Sequence, residues 1–245
     1  MSADWILPDW PAPAQVRALS TTRFGGVSKG VYASLNFGQH VGDDPASVTE
    51  NRRRLVSALD LKQEPVWLKQ VHGTQVVRLS GTPVQEPADA AVTADRGMTC
   101  VVMTADCLPV LFCDRVGTTV AAAHAGWRGL SAGVLEATIG AMDKGPTELL
   151  AWLGPAIGPE SYEVGEEVRQ VFVSQDAGAA TAFTPGKAPG KWWCDLYALA
   201  RRRLEAAGLG RIYGGGLCTY ADRERFFSFR RDGECGRMAT LIYIE

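Results

Sequence analysis

The sequence is poor in the residues that build large metal clusters, disulfide frameworks or membrane spans. It has only three histidines in 245 residues, and none of its six cysteines belongs to a CxxC pair. No apolar run approaches the roughly 20 residues of a transmembrane helix, and the chain has no internal repeat or low-complexity segment. These absences argue against a disulfide-rich secreted scaffold and against a membrane-spanning protein, and they favour reduced thiols.

The chain also has no large excess of either charge, since it contains 25 basic and 27 acidic residues and its net charge is −2. This balance gives no reason to expect a nucleic-acid or membrane-surface partner. Residues 1–15 carry acids and prolines where a signal peptide would have a basic region followed by an apolar core. We therefore expect a cytoplasmic chain long enough to bury a substantial core. The sequence does not indicate an oligomeric state.

Short apolar runs alternate with helix signals along the whole chain. Outside the hairpin described next, strands are predicted at 17–22, 66–70, 74–79, 89–93, 99–103, 148–153, 226–230 and 238–244. Helices are predicted from an Asp44 cap to about Leu59, from about Arg128 to Met142, at 165–174, and from an Asp195 cap to about Ala207. Residues 81–88 and 175–190 are predicted loops, the second of them mobile. Because strands and helices alternate without regular βαβ spacing, we expect one mixed α/β domain over residues 1–245.

The stretch 104–129 predicts a hairpin that leads into a helix. Apolar runs at 108–113 and 118–123 flank a turn at 114–117 that ends in glycine. If the hairpin closes on this turn, Cys107 lies directly opposite His124, with Cβ atoms ~4.5–5.5 Å apart. That separation suits two ligands of one metal ion, or a thiolate–imidazolium pair.

A third candidate ligand is His72. Like His124, it ends a predicted strand and is followed by small residues that leave room near the backbone. Two imidazoles and a thiolate suit Zn²⁺, and three protein ligands leave a fourth position open. Against this, Cys107 can also be a small core residue, and the two interpretations stand about even on spacing alone. The remaining histidine, His40, is better explained as structural.

The residues after His124 enter a helix, and a helix start offers free N–H groups to an anion. Arg128, in the first turn, could bind phosphate or carboxylate. Taken alone it is better explained as a solvated residue, but a metal site within a few residues weakens that explanation. Asp106 could orient a ligand histidine, or it could form structural hydrogen bonds with Ser, Thr or backbone groups. The weaker polar candidates for substrate or anion contacts are Asn36, Gln70, Asp89, Arg23 and Arg230.

Several motifs spread over the chain together resemble one bacterial family. They are SLNFGQHVGDD around Asn36, QVHG at 70–73, TADCLPV at 104–110, HAGWRG at 124–129, GPAIG at 154–158, YEVG at 162–165, and FSFR at 227–230 with Gly236-Arg237. The family is the YfiH type, variously described as laccase-like polyphenol oxidase, purine nucleoside phosphorylase and peptidoglycan editing factor. The resemblance covers essentially the whole chain, and TADCLPV followed by HAGWRG is its most specific part.

The resemblance implies a CNF/YfiH-like fold, a four-layer α/β/β/α sandwich with mixed sheets. It also implies that His72, Cys107 and His124 are the metal ligands and the catalytic centre. The chain departs from the family pattern at Pro159-Glu160-Ser161, where many members carry a cysteine, and at Cys235, where threonine is common. Both departures lie outside the proposed ligands and would alter the rim of the pocket.

The family descriptions offer different chemistries, which the residues help to rank. A multicopper oxidase needs many imidazoles for its copper centres, and three histidines are too few, so copper is less expected than Zn²⁺. The resemblance implies phosphorolysis of inosine, adenosine and methylthioadenosine, with phosphate at Arg128, and deamination of adenosine by a metal-activated water.

Other activities stay open at this point. One is an amidase that removes L-serine from the cell-wall precursor UDP-N-acetylmuramyl-L-serine. Others are a metal-free hydrolase with Cys107 as nucleophile and a non-catalytic zinc module, although structural zinc sites usually have four protein ligands. The expected partners are accordingly a nucleoside with phosphate, or the muramyl precursor.

Overall fold

The computed structural model describes residues 4–81 and 86–245. Its strands are β1 (Val16–Ser20), β2 (Val76–Arg78), β3 (Ala90–Thr93), β4 (Thr99–Thr104), β5 (Leu108–Asp114), β6 (Val120–Ala125), β7 (Leu149–Leu153), β8 (Glu163–Gly165), β9 (Phe183–Pro185), β10 (Lys191–Cys194), β11 (Ile212–Gly214) and β12 (Met238–Ile244). Its α-helices are α1 (Pro45–Ala58), α2 (Trp127–Ala132), α3 (Val134–Ala141), α4 (Glu166–Val173), α5 (Leu196–Ala206) and α6 (Phe229–Asp232). Short 3₁₀ turns add Gly30–Tyr32, Pro146–Glu148 and Ala177–Ala182.

Within the described residues, the strands form three sheets. The largest has six strands in the order β11-β7-β5-β6-β3-β2, and a second has the order β1-β12-β4. A small third sheet has the order β8-β10-β9. In the large sheet β2 runs parallel to β3 and β11 runs parallel to β7, while the central pairs are antiparallel. The sheet is therefore mixed, as predicted.

Alternating side chains assign the layers. On β4, Cys100 and Val102 pack against the large sheet, whereas Val101 and Met103 face the other way and pack near Leu55 of α1. The opposite face of the large sheet is covered by residues of α3, α4 and α5. The order is thus helix, three-stranded sheet, six-stranded sheet, helices, which is the predicted α/β/β/α sandwich.

Local signals placed most elements correctly. The Asp44 carboxylate accepts hydrogen bonds from the backbone N–H groups of Ala46 and Ser47, which caps α1 where Pro45 begins it. The Asp195 carboxylate caps α5 in the same way, through Ala198. The predicted strands at 17–22, 74–79, 89–93, 99–103, 148–153 and 238–244 are also present, with small shifts at their ends.

The predicted hairpin register is wrong by two residues. The ladder pairs Pro109 with His124 and Cys113 with Val120, so Cys107 does not lie directly opposite His124. The reason is the turn. The carboxylate of Asp114 accepts hydrogen bonds from the N–H groups of Thr118 and Thr119, and Asp114 stays in the strand. The loop of the hairpin therefore consists of residues 115–118, one residue later than the predicted 114–117.

Other elements differ from prediction for local reasons. The predicted helix 128–142 is broken into α2 and α3 at Gly133, which adopts the left-handed conformation with φ of 103°. Residues 226–230 are not a strand, because the Ser228 hydroxyl caps the short helix α6. Residues 66–70 lack the predicted strand. Residues 175–190, predicted as a mobile loop, contain a 3₁₀ turn and β9.

Part of the predicted loop 81–88 lies outside the described residues, which omit 82–85. Within residues 4–81 and 86–245, no helix combines the length and the apolar character that crossing a membrane requires.

The break at Gly133 gives a prediction about stability. Gly133→Ala would place a Cβ in the left-handed region, which costs about 1–2 kcal/mol of unfolding free energy, although an added Cβ has room there. Gly140→Ala, inside α3 and facing open space, should instead stabilise by roughly 0.5–1 kcal/mol because glycine is a poor helix former. Urea unfolding measures both changes, and equal effects would contradict the broken helix.

Candidate metal centre

The candidate ligands converge at one edge of the large sheet. Because β6 runs antiparallel to both β5 and β3, the end of β6 meets the starts of β5 and β3 at that edge. His124 is the penultimate residue of β6, and Cys107 immediately precedes β5. Asp89 immediately precedes β3, and the backbone N–H of His124 donates to its carbonyl oxygen at 2.7 Å.

His72 arrives on the loop that precedes β2. Its ring lies edge-on to the His124 ring, with centroids 4.7 Å apart, and its Nε2 atom is 3.7 Å from the Cys107 Sγ atom. One ligand atom from each of His72, Cys107 and His124 lies within 4.8 Å of the other two. Cys107 and His124 meet diagonally across the ladder, which long side chains can span.

This set fits one metal ion. A tetrahedral ion with Zn–N and Zn–S bonds of ~2.0–2.3 Å holds its ligands roughly 3.3–3.8 Å apart, so the three side chains need only a small contraction. His124 is buried, Cys107 is half-buried and His72 is exposed. The centre is therefore closed on the protein side and open on the other.

Asp89 organises two of the three ligands. Its carboxylate lies 2.8 Å from Nδ1 of His124, which leaves Nε2 of that ring for a metal. The same carboxylate accepts hydrogen bonds from the backbone N–H groups of Val71, His72 and Gly73 at 2.7–3.1 Å. A single buried side chain thus orients one imidazole and holds the loop that carries the other.

The electrostatics of the centre favour a thiolate beside an imidazolium. Burial alone would raise the pKa of the Cys107 thiol, but the neighbouring His124 and His72 lower that pKa to about 6. Burial alone would lower the pKa of His124, yet Cys107 and Asp89 raise it to about 9. Burial acts against ionisation of Asp89 as well, but hydrogen bonds from His124 and from backbone N–H groups lower its pKa.

Gly126 fits tightly into this arrangement. A Cβ atom added there would lie 2.9 Å from Cys107 Sγ and 2.9 Å from the Cδ2 atom of His72. Both distances are too short for real contacts, so any side chain at this position would displace two ligands. The small residues after His124 are therefore required by the close approach of the ligands.

Two residues at the centre have backbone conformations that disfavour ordinary side chains. His72 has φ of 61° and Asp106 has φ of 92°. Such conformations cost of order 1–3 kcal/mol and persist only where surrounding contacts impose them. At His72 the contacts are the N–H groups held by Asp89. The strain therefore sits next to the candidate ligands.

Asp106 has partners other than a ligand histidine. Its carboxylate accepts hydrogen bonds from the hydroxyls of Thr219 and Ser228 and from the backbone N–H of Arg230. Its carbonyl oxygen accepts from the backbone N–H of Ile157. Asp106 thus ties three separate loops to the residue next to Cys107, whereas the orientation of a ligand histidine belongs to Asp89.

Two of the predicted polar contacts are used within the protein. Both side-chain amide atoms of Gln70 pair with the backbone of Met103, at 2.7 and 2.8 Å. Asn36 is fully buried and bonds to Gly38, Asp43 and Arg237. Each amide therefore holds local backbone in place.

The three predicted arginines differ in how they are held. Arg23 donates to backbone carbonyls and lies over the Phe227 ring, and burial lowers its pKa. Arg230 donates to the carbonyl of Glu163. Arg128 is exposed and lies over the ring of Trp127 at 4.6 Å. In the described part of the chain its guanidinium has no acidic partner.

Sequence reasoning ranked Asp89 among the weaker candidates and so missed its position. The available signal was its place directly before β3, the strand that pairs with β6. Only the order of strands in the sheet shows that this position is next to His124. The arrangement as a whole can hold one soft or borderline metal ion, or stabilise a thiolate.

Comparison with known proteins identifies the family of this chain. Residues 17–245 match the family model described as multi-copper polyphenol oxidoreductase laccase. A purine nucleoside phosphorylase of Pseudomonas aeruginosa is 55% identical over 241 residues, covering 98% of each chain. The purine nucleoside phosphorylase YfiH of Escherichia coli is 54% identical over 240 residues, again covering 98% of each chain.

Solved structures share the fold. A Neisseria meningitidis protein superposes with a TM-score of 0.93 at 53% identity and covers 99% of both chains. YlmD of Geobacillus stearothermophilus superposes with a TM-score of 0.85 at 33% identity, covering 100% of this chain and 97% of its own. The matched family model, the near-complete overlap with these relatives and the shared architecture lead to one conclusion: the chain belongs to the laccase-like YfiH family.

Proposed function

We propose that the chain is a Zn²⁺-dependent purine nucleoside phosphorylase. The observation that carries the proposal is the open three-ligand centre of His72, Cys107 and His124. Arg128, which has no acidic partner among the described residues, lies four residues after His124 in the chain. The name shared by the relatives from Pseudomonas and Escherichia supports the same activity. Inosine, adenosine and methylthioadenosine are the proposed substrates.

Zinc is the proposed metal because of the donor set. Two imidazole nitrogens and one thiolate are ligands that Zn²⁺ binds in catalytic sites with one position left open. A multicopper oxidase needs further imidazoles, and the only other histidine in the chain is His40. The laccase description of the family therefore does not extend to the chemistry that we propose.

The residues around the metal centre would have separate roles. When bound, Zn²⁺ would polarise a substrate atom and acidify a water to a pKa of ~7. Arg128 would bind phosphate through its guanidinium, whose five N–H donors match phosphate oxygens. Asp89 would keep His124 in the tautomer that leaves Nε2 free, and Asp106 would hold the loops that form the rim.

Adenosine deamination is proposed as a second reaction of the same centre. It needs a water beside the purine six-position and no phosphate, so the two reactions are separable by their products. Ammonia release from adenosine without phosphate would report deamination. Free base and ribose 1-phosphate would report phosphorolysis.

The ligand assignment predicts the metal content of two cysteine variants. Cys107→Ala should lose at least about tenfold in zinc affinity, because a thiolate ligand is removed. Cys218→Ala is the matched control, since Cys218 is another half-buried thiol on a neighbouring loop. Elemental analysis after dialysis against a chelator measures both. Equal zinc content in the two variants would rule out Cys107 as a ligand.

Asp89 gives a second prediction. Asp89→Asn retains the shape of the side chain but removes one of the two acceptor oxygens that serve His124 and the 71–73 backbone. We expect zinc affinity to fall about 10–100-fold, as for other residues that orient metal-bound histidines. Competition with a chromophoric chelator gives the affinity. Asp95→Asn, an exposed change at the other end of β3, should leave it unchanged.

The phosphorolysis proposal predicts a dependence on phosphate. Zinc-loaded protein should release hypoxanthine from inosine only when phosphate is present. Arg128→Gln should raise the KM for phosphate about tenfold or more, because a charge-assisted hydrogen bond is worth roughly 1.5–3 kcal/mol. Arg115→Gln, an exposed change in the 115–118 turn, is the control. Base release at the same rate without phosphate would refute phosphorolysis.

The same samples should be given UDP-N-acetylmuramyl-L-serine and its L-alanine counterpart. Preferential release of serine, with no base release from nucleosides, would replace the phosphorylase proposal with the editing amidase.

A further inference from the structure

One hydroxyl near the metal centre has no hydrogen-bond partner in the described part of the chain. Tyr162 is 8% exposed, yet among the described residues its hydroxyl makes no hydrogen bond. The hydroxyl is also not among the fully enclosed polar atoms that lack a partner, so the oxygen keeps some surface exposed. By contrast, the hydroxyl of Tyr197 contacts Ala156 N–H and the carbonyls of Gly154 and Leu217.

Sheet topology puts Tyr162 on the other side of β5 from Arg128. The order β7-β5-β6 places β5 in the middle. Arg128 follows β6, whereas Tyr162 ends the segment that follows β7. That segment runs beside the start of β5, because Gly154 N–H donates to the Pro109 carbonyl and Ile157 N–H donates to the Asp106 carbonyl. The two side chains therefore flank the residues that carry Cys107.

The Tyr162 ring is fixed in position. The Arg230 guanidinium carbon lies 5.0 Å from the ring centroid, and the same guanidinium donates to the carbonyl of Glu163 at 2.7 Å. The backbone N–H of Arg230 is held by Asp106, next to Cys107. Burial raises the pKa of Tyr162, and negative charge at Cys107 acts in the same direction. The phenol therefore remains a hydrogen-bond donor at neutral pH.

We propose that Tyr162 is the residue that recognises the purine base, by donating a hydrogen bond from its hydroxyl to N7 of the base. The inference rests on the proposed phosphorylase activity and deepens it. With phosphate on the Arg128 side and the base on the Tyr162 side, the ribose carbon C1′ lies between them. A pocket with this donor prefers purines, which offer an acceptor at N7, over pyrimidines, which have none there.

The hydrogen bond strengthens as the reaction proceeds. An oxygen of hydrogenphosphate forms the bond to C1′ while the C1′–N9 bond breaks, and the bonding electron pair leaves with the base. This charge spreads over the imidazole ring of the purine and increases the negative charge at N7, which the Tyr162 hydroxyl faces. The proton of hydrogenphosphate ends on the base through solvent, so that ribose 1-phosphate and neutral base are the products.

The test compares two substrates in two variants. In 7-methylinosine, N7 is methylated and the base leaves without needing a donor there. Tyr162→Phe, which removes one oxygen and keeps the ring under Arg230, should lower kcat/KM for inosine about 10–100-fold. It should not lower kcat/KM for 7-methylinosine, because the methyl group on N7 leaves no acceptor for the hydroxyl. Tyr220→Phe, a tyrosine that is 37% exposed, is the control and should change neither.

The possible results distinguish failure of the Tyr162 inference from failure of the phosphorylase proposal. An equal loss on both substrates would make Tyr162 a structural residue and overturn the inference, as would no loss on either. Zinc content and the inhibition constant of 7-deazainosine, which has no N7 acceptor, should be the same in wild type and Tyr162→Phe. A change in either would also count against a role confined to N7. If the wild type releases no base from either nucleoside, the phosphorylase proposal itself fails.

Discussion

The carboxylate of Asp89 is the interaction on which the rest of the site depends. It is completely buried, and it satisfies three consecutive backbone N–H groups of the His72 loop while orienting His124. A buried carboxylate is costly unless it is hydrogen-bonded or paired, and here both conditions are met. The same contacts that offset its burial bring the two imidazoles together. Stability and the geometry of the site therefore have one physical origin.

A second carboxylate plays the corresponding part on the other side of the centre. Asp106 binds Thr219, Ser228 and Arg230 and so fastens loops from the C-terminal third of the chain to the start of β5. Asp89 thus orients the candidate ligands, and Asp106 orients the loops around them. This division explains why strained backbone is found next to Cys107 and at His72, since both carboxylates impose local conformations that the chain would not otherwise adopt.

Much of the fold could be predicted from local patterns, because caps, glycine stops and apolar periodicity act over a few residues. The helices capped by Asp44 and Asp195 are examples. Two of the errors arose where a side chain changed the outcome of a local signal. Asp114 moved the hairpin turn by bonding to Thr118 and Thr119, and Ser228 started a helix where apolar residues favoured a strand. The grouping of Cys107 with His124 survived the register error because a two-residue shift keeps both side chains on the same face of the sheet.

The sequence by itself determined the types of candidate metal-binding side chain, the mixed α/β class and the family. Each of these depends on residue identity and short-range spacing. The tertiary structure decided which carboxylate serves which ligand. It assigned His124 to Asp89 and turned Gln70 and Asn36 toward the backbone. Among the described residues, it left the Arg128 guanidinium without an acidic partner. These assignments depend on strand order, since residues 35 positions apart meet only when β3 and β6 pair, and short-range spacing does not specify that pairing.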